Sequence, residues 1–570
     1  MSERTRKYLR LAALWAFPLA LWLVATGWYG FDLGKYSDDW AISLRTPETD
    51  VYAWPASPFL RWNYFWRPLH LVAVYGLATV FWHHDWVNHA ISALAHLGVG
   101  VLLYRLLTGC GVRRAGAMCG LCVFLVLPVS IEAVLWPAAL GSVVGVGWFV
   151  ILASMCVRRA RAAEDLAGPA QWTWLCLLGI MGFTTACWHE QPAAGVLALP
   201  AIFLTVSRGS IRRTLRRAAA ATVASGVGVG GYVVLFVLTV PSGRRGGANT
   251  IVAADSVANR LVRLCEMAWN LSLGTRARES TLDGLRDGWE EVGRSLPGAA
   301  ACVLVVLAAI AFVSTLARDD GPHDRRDSGG DASLRRGWLV LFGLGMAMTS
   351  LAPIALVTWQ PMHPRYLYGV GVGLAIAIAA VLDCCWKPTE RSCWRRGLQT
   401  SMVGLIVLGG VLGALSCVGW QAQFRARWRA DVDQMEQLVR LVPAPAAGTV
   451  FVPVEISDGR LPGRRPSNPG VQGAMAQPWS CWAYVQHGYA RSDVSATHAR
   501  SGQRLPIKAF AEGIRYPRGV CDAYGRADAG AKVVPWERVV AFAVDDRGVV
   551  RLVTREEVLR RVGGGQGASE

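Results

Sequence analysis

The chain has 570 residues, of which 53% are hydrophobic and only 17% charged; an ordinary soluble domain carries about 25% charged residues, so most of this chain is not a water-soluble globular protein. Its formal net charge of +18 does not point to nucleic acid. The basic excess sits in short loops between apolar runs, as the positive-inside rule requires, with neither zinc-finger spacing nor a basic stripe on a soluble domain.

The first apolar run, Leu11 to about Tyr29, follows Arg4, Arg6, Lys7 and Arg10 and has no small-residue cleavage site before Asp32. It reads as an uncleaved first span. Runs of membrane-crossing length, about 20 residues, then recur, so that the segments 10–30, 88–108, 117–136, 139–157, 172–188, 191–206, 218–240, 297–316, 338–358, 366–386 and 399–419 predict about eleven transmembrane helices. With the N-terminus cytoplasmic, the even-numbered connections carry Arg113-Arg114, Arg158-Arg159-Arg161, Arg208 to Arg217, Arg318 to Arg336 and Lys387 to Arg396. All are basic, and this places 31–87, the turns near 132–138, 189–191 and 359–365, the loop 241–296 and the tail 420–570 outside.

Segment 67–83 is apolar enough to span, but counting it would turn every later basic loop outward; it reads as a helix on the outer membrane surface. Val257 to Leu273 is a second, amphipathic stretch in an outward loop. The tail opens with a helix over Phe424–Leu441. Short β-like runs follow at Thr449–Val454, Val533–Val534 and Val539–Val544, the last joined through Asp545-Asp546-Arg547-Gly548 to Val549–Val553 as a hairpin. The predicted architecture is an all-α polytopic membrane domain over 1–419 with outward surface helices, and a small extracytoplasmic α+β domain over 420–570.

The 14 cysteines lie mostly in apolar runs as small hydrophobes. Cys119/Cys122 and Cys384-Cys385 lack neighbouring histidines, which argues against zinc. In the tail, Cys481 and Cys521 are either a disulfide, if the compartment is oxidising, or two separate thiols.

Several polar residues stand at places where chemistry is expected. Asp38-Asp39 follows the first span closely, and a carboxylate there can take a proton from an acceptor hydroxyl or hold a metal; two solvated acids in a loop are the plainer reading. Arg67, in Tyr64-Phe65-Trp66-Arg67-Pro68-Leu69, offers a planar fork for phosphate at the membrane surface, or simply an interfacial anchor. Glu132, in Pro128-Val129-Ser130-Ile131-Glu132-Ala133-Val134-Leu135-Trp136, is an ionisable group in an apolar stretch, expensive unless it is functional or paired. His189-Glu190 breaks two apolar runs. Arg365-Tyr366-Leu367-Tyr368 opens a span, its arginine suited to a lipid phosphate and its tyrosines to the interfacial belt.

Taken in order, these motifs resemble the GT-C superfamily of membrane glycosyltransferases, and most closely its protein O-mannosyltransferase-like branch, without tetratricopeptide repeats. The resemblance rests on Asp-Asp in the first outward loop, the Arg-Pro-Leu run, a span opening Trp86-Val87-Asn88-His89 and containing His96, the Glu132 stretch, His189-Glu190 where the branch has Lys-Glu, and Arg365-Tyr366-Leu367-Tyr368. It covers residues 10–390 and not the tail. It implies transfer of a sugar from a polyprenyl-phosphate donor to an acceptor hydroxyl on the outer face of the membrane, usually with inversion. It also implies Asp38 or Asp39 as base, Glu132 as a second acid, Arg67, Arg365, Tyr366 and Tyr368 around the donor phosphate, and His189, Glu190 and His89 as secondary site residues. Some members use a divalent metal and others do not, and the sequence leaves that open. The acceptor is a protein, glycan or lipid, the expected location is the cell (inner) membrane, and no nucleic acid is involved. The rival readings are a catalytically inactive membrane scaffold and a transporter or flippase of lipid-linked sugars.

Overall fold

The computed structural model describes residues 2–35, 39–40, 67–81, 84–162, 168–207, 210–239, 257–272, 275–294, 296–317, 331–355, 364–385, 393–456, 473–476, 478–491, 493–496, 508–516 and 532–563. Among them, eight helices are long and apolar enough to cross a membrane, and the chain is a multi-pass membrane protein.

The helices of the bundle are α1 (Glu3–Gly27), α2 (Pro68–Val80), α3 (Asp85–Gly109), α4 (Arg114–Leu125), α5 (Pro128–Leu135), α6 (Leu140–Arg161), α7 (Gly168–Trp188), α8 (Glu190–Ala194), α9 (Leu199–Val206), α10 (Ile211–Thr239), α11 (Val257–Ser272), α12 (Thr275–Gly293), α13 (Leu296–Ala317), α14 (Asp331–Ala355), α15 (Tyr368–Cys385) and α16 (Cys393–Leu441). Each of the eleven segments expected to span is helical. Three depart from a single long apolar helix. Segment 117–136 divides into α4 and α5 because Pro128 takes the first helical position of α5 and holds Leu127 extended (φ −68°, ψ 107°). Segment 191–206 is α8, a 3-10 turn at Gly195–Ala198, and α9. Segment 172–188, α7, falls outside the eight.

α2 has 13 residues, about 20 Å at 1.5 Å per residue, too short by itself for a hydrocarbon core of about 30 Å. The expected domain boundary at 419/420 falls inside α16. The anticipated last span and the anticipated tail helix are one helix of 49 residues, about 70 Å long, so it leaves the bundle and carries the soluble domain. α12 lies in the stretch 241–296, where the sequence reading recognised only the amphipathic helix now seen as α11. It packs along α16 through glycines: a Cβ at Gly288 would sit 2.0 Å from the Leu415 carbonyl, and one at Gly419 2.0 Å from that of Gly284. Such small-residue seams let helix backbones approach where lipid gives no hydrophobic drive for helix association. The α14–α15 seam is of the same kind.

At the end away from the soluble domain, buried Asp383 accepts hydrogen bonds from the Arg113 backbone (3.0 Å) and Arg336 Nε (2.5 Å). Arg217 donates to the Ala162 carbonyl, close to Arg158, Arg159 and Arg161 in the last turn of α6. At the other end, the Gln421 side chain ties α16 to α1: its Nε2 donates to the Val24 carbonyl and its Oε1 accepts from the Trp28 amide, both at 3.0 Å.

The soluble domain contains β1 (Val450–Ile456), α17 (Pro478–Tyr489), β2 (Ser495–Ala496), β3 (Lys508–Ala509), β4 (Gly513–Tyr516), β5 (Lys532–Pro535), β6 (Val539–Val544), β7 (Val550–Leu552) and α18 (Arg555–Gly563). One sheet has the order β2-β1-β6-β7, with β1 parallel to both neighbours and β6–β7 the expected hairpin; β3-β4-β5 form an antiparallel sheet. Cys481 is a buried free thiol whose pKa burial pushes up to about 12; Cys521 lies outside the described residues.

The glycine seams make one expectation. A side chain at Gly343 would begin 2.5 Å from the Gly373 carbonyl, and overpacking costs about 1–3 kcal/mol. Gly343→Leu therefore lowers the melting temperature of the detergent-purified protein, whereas the same change at Gly337, which has open space around it, does not.

Candidate functional site

Sequence-distant segments meet at the end of the bundle that carries the soluble domain. Arg67, immediately before α2, forms a two-pronged ion pair with Glu190 at the start of α8: Nε donates to Oε2 at 2.8 Å and Nη2 to Oε1. Burial opposes the Arg67 charge, yet the adjacent Glu190 carboxylate holds its pKa above the ordinary arginine value. His189, next to Glu190, accepts the Gln191 amide on Nδ1 at 3.4 Å and so caps α8.

The second arginine, Arg365, lies in the 3-10 turn Pro364–Leu367. Its Nη1 donates to Glu132 Oε1 at 3.3 Å, and its guanidinium stacks over the Trp136 ring, 4.1 Å from the centroid, with the Tyr366 ring at 5.1 Å. Arg365 and Arg67 both place their charges near Tyr366. Glu132 has 0% exposed surface. Its second carboxylate oxygen is buried without a hydrogen-bond partner, a costly arrangement.

Asp39 completes the cluster. It is 9% exposed, and its Oδ1 accepts the Ala138 amide at 3.1 Å, two residues beyond Trp136. The carboxylate thus sits at the N-terminal end of the turn Pro137–Ala139 that leads into α6, where the helix dipole favours negative charge. Beside it, Lys35 Nζ pairs with Asp85 Oδ2 at 2.8 Å. A small cavity of about 30 Å³ lies among Lys35, Asp39, Asp85, Asn88, His89 and Ser92, room for about one water.

Of the residues expected from sequence, Arg67, Arg365, Glu132, His189, Glu190 and Tyr366 are brought together, and Asp39 adjoins them through Ala138 and Trp136. Asp38 lies outside the described residues. Tyr368 is elsewhere: it is 1% exposed and its hydroxyl bonds His96 Nδ1 at 2.8 Å inside the bundle. The ring of His89 bonds the Gly34 carbonyl through Nε2 at 2.8 Å; a carbonyl only accepts, so Nε2 carries the proton and the ring anchors the first loop. Among the described residues no group of three or more His, Cys, Asp or Glu side chains is arranged to hold a metal, and the carboxylates near Asp39 are engaged by Lys35, Arg365 and a backbone amide.

Sequence reasoning missed the Lys35–Asp85 pair, His70, and Trp136 as the platform under Arg365. His70 follows Arg67 by one helical turn, and burial together with the Arg67 charge pushes its pKa down to about 3, so it stands neutral beside the arginine. Trp136 had a legible signal, its spacing of four residues from Glu132.

No protein-family model and no curated protein matches the chain. Among solved structures it is similar to the archaeal oligosaccharyltransferase AglB from Archaeoglobus fulgidus in complex with an inhibitory peptide and a dolichol-phosphate (12% identity, 86% of this chain and 65% of that one, TM-score 0.43). It is also similar to ArnT from Cupriavidus metallidurans bound to undecaprenyl phosphate (11% identity, 87% and 86%, TM-score 0.40). A further Archaeoglobus fulgidus oligosaccharyltransferase structure, in complex with zinc and sulfate, has 11% identity, covers 92% and 67%, and gives a TM-score of 0.38. The chain spans 65% of the length of the first of these.

The buried pair sets a stability test. Removing one partner of a buried ion pair costs about 3–5 kcal/mol, whereas replacing both with neutral groups costs far less. Arg365→Ala alone therefore lowers the melting temperature more than Arg365→Met combined with Glu132→Gln, as read by thermal unfolding in detergent.

Proposed function

We propose that the protein is a membrane glycosyltransferase of the GT-C type that moves a sugar from a polyprenyl-phosphate donor to an acceptor hydroxyl. The observation that carries this reading is the convergence of Arg67 and Arg365, 298 residues apart in sequence (365 − 67), on one cluster that also holds Glu132 and adjoins Asp39. Transfer from a lipid phosphate needs two things. A phosphate leaving group requires positive charge placed where negative charge develops, and the acceptor hydroxyl requires a base.

In the step proposed, the acceptor oxygen attacks the anomeric carbon from the face opposite the phosphate, with inversion. The bond between the anomeric carbon and the phosphate oxygen breaks, and its electron pair stays on the departing polyprenyl phosphate. Arg67 and Arg365 receive that charge. The acceptor proton passes to the carboxylate of Asp38 or Asp39. The unpartnered oxygen of Glu132 suits a hydroxyl of donor or acceptor, whose O–H would satisfy it. Glu190 must yield Arg67 to the phosphate, and its place on a short helix at the cluster's edge, with a side chain 30% exposed, suits that exchange. Tyr366 stays with the arginines, and Tyr368 serves the bundle through His96.

The site faces the outer side of the cell membrane in this reading, because the arginine-rich end that includes Arg158, Arg159 and Arg161 lies opposite the soluble domain. The sugar, and whether the acceptor is protein, glycan or lipid, are set by contacts beyond this cluster.

Positioned acid–base groups contribute about 10²–10⁴ in rate. With labelled polyprenyl-phosphate sugar and the purified protein in lipid nanodiscs, the Asp38→Asn, Asp39→Asn double variant loses transfer by at least that factor while retaining the wild-type melting profile. A double variant with wild-type turnover contradicts the assignment of the base.

A further inference from the structure

The soluble domain does more than sit above the bundle: a residue of the first loop is built into its core. Trp40 is 6% exposed and belongs to the apolar cluster formed by Met435, Leu438, Phe451 and Tyr484 among others. Its ring meets Tyr484 edge-on at 5.2 Å and His487 at 5.4 Å, both on α17. Tyr484 is itself fixed, its hydroxyl donating to the Asp431 carbonyl on α16. Asp431 is locked in turn by Arg427 and by the Ala474 amide at 2.9 Å.

The residue next to Trp40 is Asp39. Gly34, Lys35 and Trp40, on either side of it, are each held in place. Gly34 adopts φ +73°, and a Cβ there would lie 2.0 Å from the Trp428 ring of α16, so only glycine allows the loop to lie against that helix. Its carbonyl takes the His89 hydrogen bond. Lys35 pairs with Asp85 of α3 and lies 5.7 Å from the Trp40 ring centroid. Two of these anchors, at Gly34 and Trp40, use α16 or the soluble domain, and the others use α3.

From this geometry we infer that Trp40 is a positioning residue: its insertion in the soluble-domain core fixes the loop that bears Asp39, so the soluble domain controls where that carboxylate stands. The consequence for catalysis rests on the transferase reading above, since a misplacement of about 1 Å can cost about 10²-fold in rate. The anchoring itself does not depend on that reading.

The test uses the full-length protein and two readouts, amide hydrogen exchange and sugar transfer. In Trp40→Ala, exchange rises across residues 33–40 and in α17 and stays unchanged in α14 and α15. The kcat falls about 100-fold while the KM for the polyprenyl-phosphate sugar changes less than threefold. Trp40→Phe, which keeps an aromatic anchor, recovers most of both. His487→Ala, which removes one wall of the Trp40 seat, gives a smaller change in the same direction and serves if Trp40→Ala does not fold. Unchanged exchange over residues 33–40 in Trp40→Ala or His487→Ala overturns the proposal, as does raised exchange with undiminished kcat. If the wild type transfers no sugar, the transferase reading fails, and the exchange pattern alone decides the anchoring.

Discussion

A carboxylate buried away from water stays ionised only where a cation answers it, and this constraint organises the end of the bundle beside the soluble domain. Glu132 is fully buried, and the energy of an isolated charge there would far exceed what a marginally stable fold tolerates. Arg365 answers it from a turn far along the chain, and Trp136 and Tyr366 hold the guanidinium in place. Arg67 and Glu190 form a second pair a short distance away, partly exposed. Buried pairs of this sort add little net stability; a nonpolar replacement would serve the fold as well. Their place at the bundle's end is what the proposed function puts to use.

In the transferase proposed above, the two pairs let one cluster be stable when resting and receptive to an anion. Each arginine is neutralised by a carboxylate, so the cluster can fold without a ligand. A phosphate competes for the same planar forks, and the more exposed of the two carboxylates, Glu190, is the one able to move aside. Glu132 is fully buried and stays. In that proposal the cluster has one fixed and one exchangeable counterion, an asymmetry produced by the bundle rather than by the residue types.

Much of the bundle could be read from apolar run length and loop charge, because lipid obliges spanning segments to be helical. The same logic kept α2 out of the spans. What escaped depended on contacts rather than local pattern. α12 is polar enough to pass as loop, and its helicity is supported by glycine-lined packing on α16. The continuity of α16 across the expected domain boundary is hidden in the sequence because its apolar run ends near 419 while the helix goes on through the charged stretch Arg425 to Arg440. At the site, Arg67, Glu132, Glu190 and Arg365 were each visible as misplaced charges, but their pairing was not: Arg67 and Glu190 are 123 positions apart, and Glu132 and Arg365 are 233 apart. Tyr368 shares the Arg-Tyr-Leu-Tyr motif with Tyr366, but the 3-10 turn ends at Leu367 and Tyr368 opens α15, where its hydroxyl turns to His96.

The phosphate role of the two arginines is the claim on which the rest depends, and binding measures it without knowledge of the sugar or acceptor. Polyprenyl phosphate is titrated onto the purified wild type and onto the Arg67→Gln, Arg365→Gln double variant in nanodiscs. The wild type should bind saturably, with affinity at least tenfold above that of the double variant, and Glu190→Gln should bind more tightly than wild type. Equal affinity for wild type and double variant would contradict the phosphate site.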